Sequence, residues 1–253
     1  MADALLEIEA LTKRFGGVVA SDRISLAVTK GELHAIIGPN GAGKTTLIGQ
    51  LAGETASDAG RIRFEGSDVT ALPTYRRSQL GLARSFQITS LFLDFTALDN
   101  VALAVQAHAG HSFHFWRGAR REAALRDPAR IALERVGLAS RAEVLVSTMS
   151  HGEHRQLEIA MALATGPRML LLDEPMAGMG PDESTRMFAL LRELKRGLTI
   201  LLIEHDMEAV FALADRITVL VYGRIIATGT PEEIRANADV RQAYLGEQEQ
   251  RHG

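Results

Sequence analysis

Three stretches of the chain, Leu33–Ile37 and residues 169–172 and 198–204, are apolar at almost every position, as expected of strands buried on both faces of a parallel sheet. Residues 5–28 instead alternate apolar and polar positions around Phe15-Gly16-Gly17, which predicts two strands joined by a turn. Residues 61–64 read as an edge strand, and residues 81–86, 217–222 and 224–228 as further short strands. Between residues 88 and 149 the period changes to that of a helix. Leu98, Val101, Ala102 and Val105 share one face, and Ile131, Leu133 and Val136 form a second stripe. Asp127-Pro128 predicts a new helix there, with Asp127 as N-cap, Pro128 first and Gly137 at the end. Helices are also predicted from Ser150 to about Thr165, over residues 182–195, and from Thr230-Pro231-Glu232-Glu233 onward. Strands and helices thus alternate at both ends of the chain, the pattern of one α/β domain interrupted by a helical insert.

Composition adds mainly exclusions. The 253 residues are 46% hydrophobic and 23% charged with a net charge of −3, so a core can form and no basic excess suggests a nucleic-acid partner. No apolar run approaches the roughly 18 residues that cross a bilayer. The start, Met1-Ala2-Asp3-Ala4-Leu5-Leu6-Glu7, lacks the basic and apolar parts of a secretory signal, and the absence of cysteine suits a cytosolic protein.

The chemistry concentrates at three places. Gly38-Pro39-Asn40-Gly41-Ala42-Gly43-Lys44-Thr45, followed by Thr46, matches G-x-x-x-x-G-K-[ST] between a strand and a helix. Glycines let the loop turn its N–H groups onto phosphate oxygens, Lys44 would reach the β- and γ-phosphates of ATP, and the Thr45 hydroxyl would ligate Mg²⁺. The run 169–172 ends in Asp173-Glu174, placing two carboxylates where open α/β sheets bind ligands. Asp173 would hold the Mg²⁺ shell and Glu174 polarise the attacking water. Ser150-His151-Gly152-Glu153 opens a helix as a capping box.

The order of phosphate loop, Gln87, Ser-x-Gly-Glu, Asp173-Glu174-Pro175 and His205 resembles the nucleotide-binding subunits of ATP-binding cassette transporters over essentially the whole chain. That resemblance implies a phosphate-loop NTPase core with an antiparallel β subdomain over residues 1–87 and 165–253, and a helical subdomain inserted at 88–164. It implies that Phe15 stacks on adenine, that Gln87 reaches Mg²⁺ and the attacking water, and that His205 contacts the γ-phosphate. Ser150, Gly152 and Glu153 would present a helix start to ATP held by the opposite subunit of a homodimer or heterodimer. The further partners implied are membrane-spanning permease subunits and, indirectly, a substrate-binding protein, with this chain cytoplasmic and peripheral on the inner face of the cytoplasmic membrane. Residues 88–100, including Asp94 and Asp99, are expected to line the groove that receives the permease.

Within the family the pattern resembles the ATPase of branched-chain amino acid importers, through Gly81-Leu82-Ala83-Arg84-Ser85-Phe86-Gln87, Glu204-His205-Asp206-Met207 and the ending around Ala243-Tyr244-Leu245-Gly246. A lipid or lipopolysaccharide export ATPase, a soluble cassette protein and a phosphate-loop kinase are the alternatives. Two departures stand out: His151 and His154 replace the usual Gly, Tyr or Gln, and Gly180 stands where Asp or Asn is usual in a loop that crosses to the partner. His108, His111 and His114 lie at a spacing that suggests metal, but Gly110 interrupts the helix and no carboxylate lies nearby. Packing of an amphipathic extension is the plainer reading.

Overall fold

A computed structural model describes residues 4–85, 91–109 and 123–243, which fall into two compact units. The first comprises residues 1–77, 171–174 and 191–253, the second residues 78–170 and 175–190. In chain order the elements are β1 (Ala4–Phe15), β2 (Val18–Thr29), β3 (Leu33–Ile37), α1 (Lys44–Ala52), β4 (Ala59–Phe64), β5 (Ser67–Asp68), α2 (Thr74–Gln79) and β6 (Leu82–Arg84). The helices α3 (Ala97–Ala109), α4 (Ala123–Arg135) and α5 (His151–Leu163) follow, then β7 (Met169–Asp173) and α6 (Pro181–Leu194). The chain continues through β8 (Thr199–Ile203), α7 (Met207–Leu213), β9 (Arg216–Val221), β10 (Arg224–Gly229) and α8 (Pro231–Ala236).

The first unit holds two sheets. The antiparallel one runs β2-β1-β4-β5, so β4 is flanked on both sides, although β5 covers it for only two residues. Its alternation is a burial pattern: Leu6, Ile8, Leu11, Ile24, Leu26, Val28, Ile62 and Phe64 are buried. The second sheet has the order β10-β9-β3-β8-β7 within this unit, with β3 parallel to both β8 and β9. Strands β3, β7 and β8 are buried at every residue, which is why their sequences are apolar throughout rather than alternating. The one polar side chain in β3, His34, is fully satisfied: Nδ1 lies 2.6 Å from Glu32 Oε1 and Nε2 2.8 Å from Thr218 Oγ1.

Two buried polar clusters fix α1. Ser21 donates to Gln50 Oε1 at 2.7 Å and Gln50 donates to Ser57 Oγ at 2.8 Å, tying the helix to β2. The buried Arg77 closes its carboxyl-terminal end, donating to the carbonyls of Gln50 and Leu51 at 2.6 and 2.7 Å and to those of Leu72 and Thr70 at 2.9 Å. A guanidinium on the last carbonyls of a helix satisfies acceptors that the helix cannot, and opposes the negative end of its dipole.

The second unit packs α3, α4 and α5 around Leu98, Val101, Leu125, Ala129, Ala132, Leu133 and Leu157. Two sequence readings are corrected here. Pro128 does not begin a helix; α4 runs through it, because Leu125, Ala129, Ala132 and Leu133 form one continuous buried stripe that binds both sides of the proline to the same core. Pro128 and Ala124 are exposed, so the carbonyl that Pro128 leaves without a helical donor can be hydrated. Ile131 is off that stripe and 59% exposed, whereas Leu133 and Val136 are buried. Arg126 joins the helices, pairing with Asp99 at 3.0 Å and Glu143 at 3.2 Å. Asp99 is therefore engaged inside the unit, while Asp94 is exposed beside the exposed Phe92, Leu93 and Phe95.

Candidate functional site

The loop between β3 and α1 has a shape that only its glycines permit. Gly38 has φ 152° and a Cβ there would lie 2.0 Å from the Leu220 carbonyl oxygen. Gly43 has φ 101° and a Cβ there would lie 2.1 Å from the Ala20 carbonyl oxygen. The loop is thus clasped between β2 and the β9–β10 turn, and Gly223 N–H donates to Ala42 O at 2.9 Å. Gly43 is the N-cap of α1 and supplies no side-chain cap to the helix start. Lys44 lies almost buried beneath it, donating from Nζ to Gly38 O at 2.7 Å and Pro39 O at 3.0 Å. An anion over this loop meets the positive end of a helix and an ammonium already placed. Asn40, Gly41 and Thr45 are exposed and Thr46 is half-buried. Phe15 is 52% exposed, with Lys13 Nζ 5.3 Å from its ring centre, so a flat face remains open to stacking.

At the end of β7, Asp173 is buried and Glu174 is half-exposed. Glu174 adopts φ 49°, a left-handed conformation unusual for a non-glycine residue, and its N–H donates to Ile203 O at 2.9 Å. The strand end is therefore locked to β8 while the carboxylate is turned out of the strand direction. The exposed His205, after β8, brings Nδ1 to 4.0 Å from Glu174 Oε2 and 3.8 Å from the buried Glu204 Oε2. The structure thus brings Glu174 and His205 together in the first unit. Gln87 lies outside the described residues, as do His111 and His114.

In the second unit Ser150 caps α5. Its Oγ accepts from Glu153 N–H at 3.2 Å, and Glu153 Oε2 accepts from Ser150 N–H at 2.8 Å. Glu153 is held from behind by Arg141 at 2.8 Å, so its carboxylate serves the helix start rather than facing outward. The two unusual histidines are both engaged: His151 Nε2 lies 3.2 Å from Ala177 O and His154 Nε2 2.8 Å from Val146 O. One residue at this site had no signal in the sequence. Glu183 Oε1 accepts from Ser150 Oγ at 2.8 Å and from Gly152 N–H at 3.2 Å, and the Ser150 hydroxyl holds its carboxyl below the usual range. As an acid in the first turn of α6 it looked like ordinary helix-start charge.

A phosphate-binding loop at the carboxyl end of a parallel strand makes the first unit a nucleotide-binding α/β domain, and the Ser-x-Gly-Glu helix start marks it among such domains as an ATP-binding cassette. Comparison with known proteins agrees. The family model described as ABC transporter matches residues 21–177, and that described as branched-chain amino acid ATP-binding cassette transporter matches residues 224–250. The chain belongs to the ABC transporter family. It is 40% identical, over 98% of its length and 100% of the relative's, to the high-affinity branched-chain amino acid transport ATP-binding protein BraF of Pseudomonas aeruginosa. It is 39% identical, with the same coverage, to the corresponding LivG of Escherichia coli. Among solved structures, the ADP conformation of MJ1267, an ATP-binding cassette of an ABC transporter, superposes with a TM-score of 0.85 at 31% identity, covering 96% of this chain and 99% of that one.

Proposed function

We propose that this chain is the ATP-hydrolysing subunit of an importer that moves branched-chain or other amino acids across the cytoplasmic membrane. The observation that carries the reading is full-length similarity to two such transport proteins, BraF and LivG, in a chain that keeps a phosphate-loop geometry in its first unit. No described helix is long and apolar enough to cross a membrane, which fits a subunit that works with separate permease chains. It would act from the inner face of the membrane, with residues 88–164 as its helical subdomain.

In this reading the glycine loop, the start of α1 and Lys44 hold the β- and γ-phosphates, and Phe15 stacks on adenine. Glu174 orients and polarises the attacking water, and His205, close to it, contacts the γ-phosphate. The Thr45 hydroxyl and the Asp173 carboxylate are hard oxygen donors of the kind Mg²⁺ takes alongside phosphate and water, so the donor set suits that ion. Mg²⁺ would supply neutralisation of charge on the phosphate oxygens. Gln87 is kept as a further ligand of that ion. Ser150 and Gly152 complete the site on the ATP of a second subunit, itself or a related ATPase, so hydrolysis waits on association and association can drive motion. The exposed Phe92, Leu93, Asp94 and Phe95 supply a surface for the permease.

The test is reconstitution in vesicles of the chain with permease and substrate-binding chains of a branched-chain amino acid importer. ATP-dependent uptake of labelled leucine, isoleucine or valine is expected, and its loss with Glu174→Gln. Uptake of none of these, with ATP-dependent movement of a lipid instead, would reject the importer reading.

A further inference from the structure

Resting on the reading of Ser150 and Gly152 as acceptors of a γ-phosphate, we infer that Glu183 is an internal anion that occupies this acceptor in the free subunit and sets the ATP concentration at which two subunits close. The contacts are specific. The same carboxylate oxygen, Oε1, takes the Ser150 hydroxyl at 2.8 Å and the Gly152 N–H at 3.2 Å. A Cβ on Gly152 would lie 2.7 Å from that oxygen, so glycine is what lets an anion approach this close.

Occupation by Glu183 and by phosphate is mutually exclusive on two grounds. A serine hydroxyl has one proton, and that of Ser150 is donated to Glu183 while its oxygen accepts from Glu153 N–H. Gly152 likewise has one N–H. A phosphate oxygen must therefore replace the carboxylate oxygen to gain either bond, and two anions cannot share the position at contact distance. The low carboxyl pKa, caused first by the Ser150 hydroxyl, means that Glu183 carries its charge at neutral pH. Release has somewhere to go. A cavity of about 340 Å³ opens beside the helix start and is lined by Arg186, whose charge already acts on Glu183, as well as by Gln156 and Met187.

ATP that closes the dimer thus has to win Ser150 and Gly152 from a competitor already bound, and a symmetric dimer has to do so twice. ADP, with no γ-phosphate, offers nothing in exchange. Glu183 acts as a threshold-setting residue, and removing it makes closure easier. A residue that only supported the fold would make closure harder when lost, so the direction of the change separates the two roles.

The experiment follows ATP-Mg-driven dimer formation of the full chain by sedimentation or light scattering, in Glu174→Gln protein so that ATP persists. Adding Glu183→Ala is expected to raise the overall dimerisation constant by about threefold per site, about tenfold for the two sites, and so, with two ATP taken up per dimer, to lower the ATP concentration at half-dimerisation by about threefold, as for one charge-assisted hydrogen bond partly screened by solvent at each site. Glu183→Gln, which keeps the shape and loses the charge, is expected to shift it in the same direction by less, and ADP is expected to give no dimer with either. An unchanged or raised midpoint in both variants would overturn the inference. Ser150→Arg separates that from failure of the underlying reading. If Ser150→Arg abolishes the dimer while the Glu183 variants leave the midpoint alone, only the internal anion is wrong. If Ser150→Arg still dimerises with ATP, or no ATP-driven dimer forms at all, the acceptor reading fails and the inference falls with it.

Discussion

Of the three positive-φ glycines in the phosphate loop, the structure distinguishes Gly41 and Gly43 sharply, and substituting each by alanine tests the loop geometry. Gly43 has φ 101° and would put a Cβ 2.1 Å from the Ala20 carbonyl oxygen, whereas Gly41 has φ 78° and nothing within 4 Å. Both alanines are strained by roughly 1–2 kcal/mol, since L residues disfavour the left-handed region. Only Gly43→Ala adds a collision with backbone, more than about 1 Å inside ordinary contact, and β2 is held in place by its antiparallel pairing with β1. The loop must move instead, carrying the Lys44 N–H and its neighbours away from the phosphates. Gly41→Ala should therefore cost about 1–2 kcal/mol of stability and keep ATP binding within a few-fold. Gly43→Ala should cost about 3–4 kcal/mol, and a displacement of about 1 Å should lower turnover about 100-fold. Urea unfolding, fluorescence titration with an ATP analogue and phosphate release measure the three quantities. Equal effects of the two substitutions, or full ATP affinity in Gly43→Ala, would refute the reasoning.

Three other consequences are open to measurement. Arg77→Met takes the guanidinium from the Leu51 carbonyl and leaves that of Gln50 only its bond from Gly53 N–H, and should cost about 2–4 kcal/mol in urea unfolding, against less than about 1 if the guanidinium were incidental. Burial pushes the Glu32 carboxyl up, but its bonds to His34 and Thr29 outweigh this and hold it below the ordinary carboxylate value. Its contribution to stability is therefore complete above the ordinary value and lost as pH falls through the lowered one. Glu32→Gln should be less stable at neutral pH and converge on the wild type in acid; parallel curves would contradict this. Asp94→Arg should weaken stimulation of ATP turnover by the permease, and unaltered stimulation would move the docking surface elsewhere.

Much of the first unit was legible because burial there is local in sequence. Strands β3, β7 and β8 are apolar runs of strand length, and Thr230-Pro231-Glu232-Glu233 announces α8, as the capping box at Ser150 announces α5 in the second unit. The helical region was less legible because its signals compete. Asp127-Pro128 is a strong start signal, yet a buried stripe spanning it prevails, and the same stripe rather than a looser count excludes Ile131. The short helices α2 and α7 were not anticipated, since their six and seven residues offer too little period to read, and Asp206, read as part of the histidine motif, is the N-cap of α7. Contacts between distant positions were invisible altogether. Nothing at Arg77 predicts that it closes α1, and nothing at Glu183 predicts that it reaches Ser150.

The central claim is that Glu174, turned out of its strand beside His205, activates water against ATP held at the phosphate loop. Turnover and binding of ATP by purified Glu174→Gln, measured beside the wild type at saturating Mg²⁺, test it most directly. ATP is expected to bind with little change in affinity while phosphate release falls at least about 100-fold, the scale of a lost general base. Wild-type phosphate release from Glu174→Gln would contradict it.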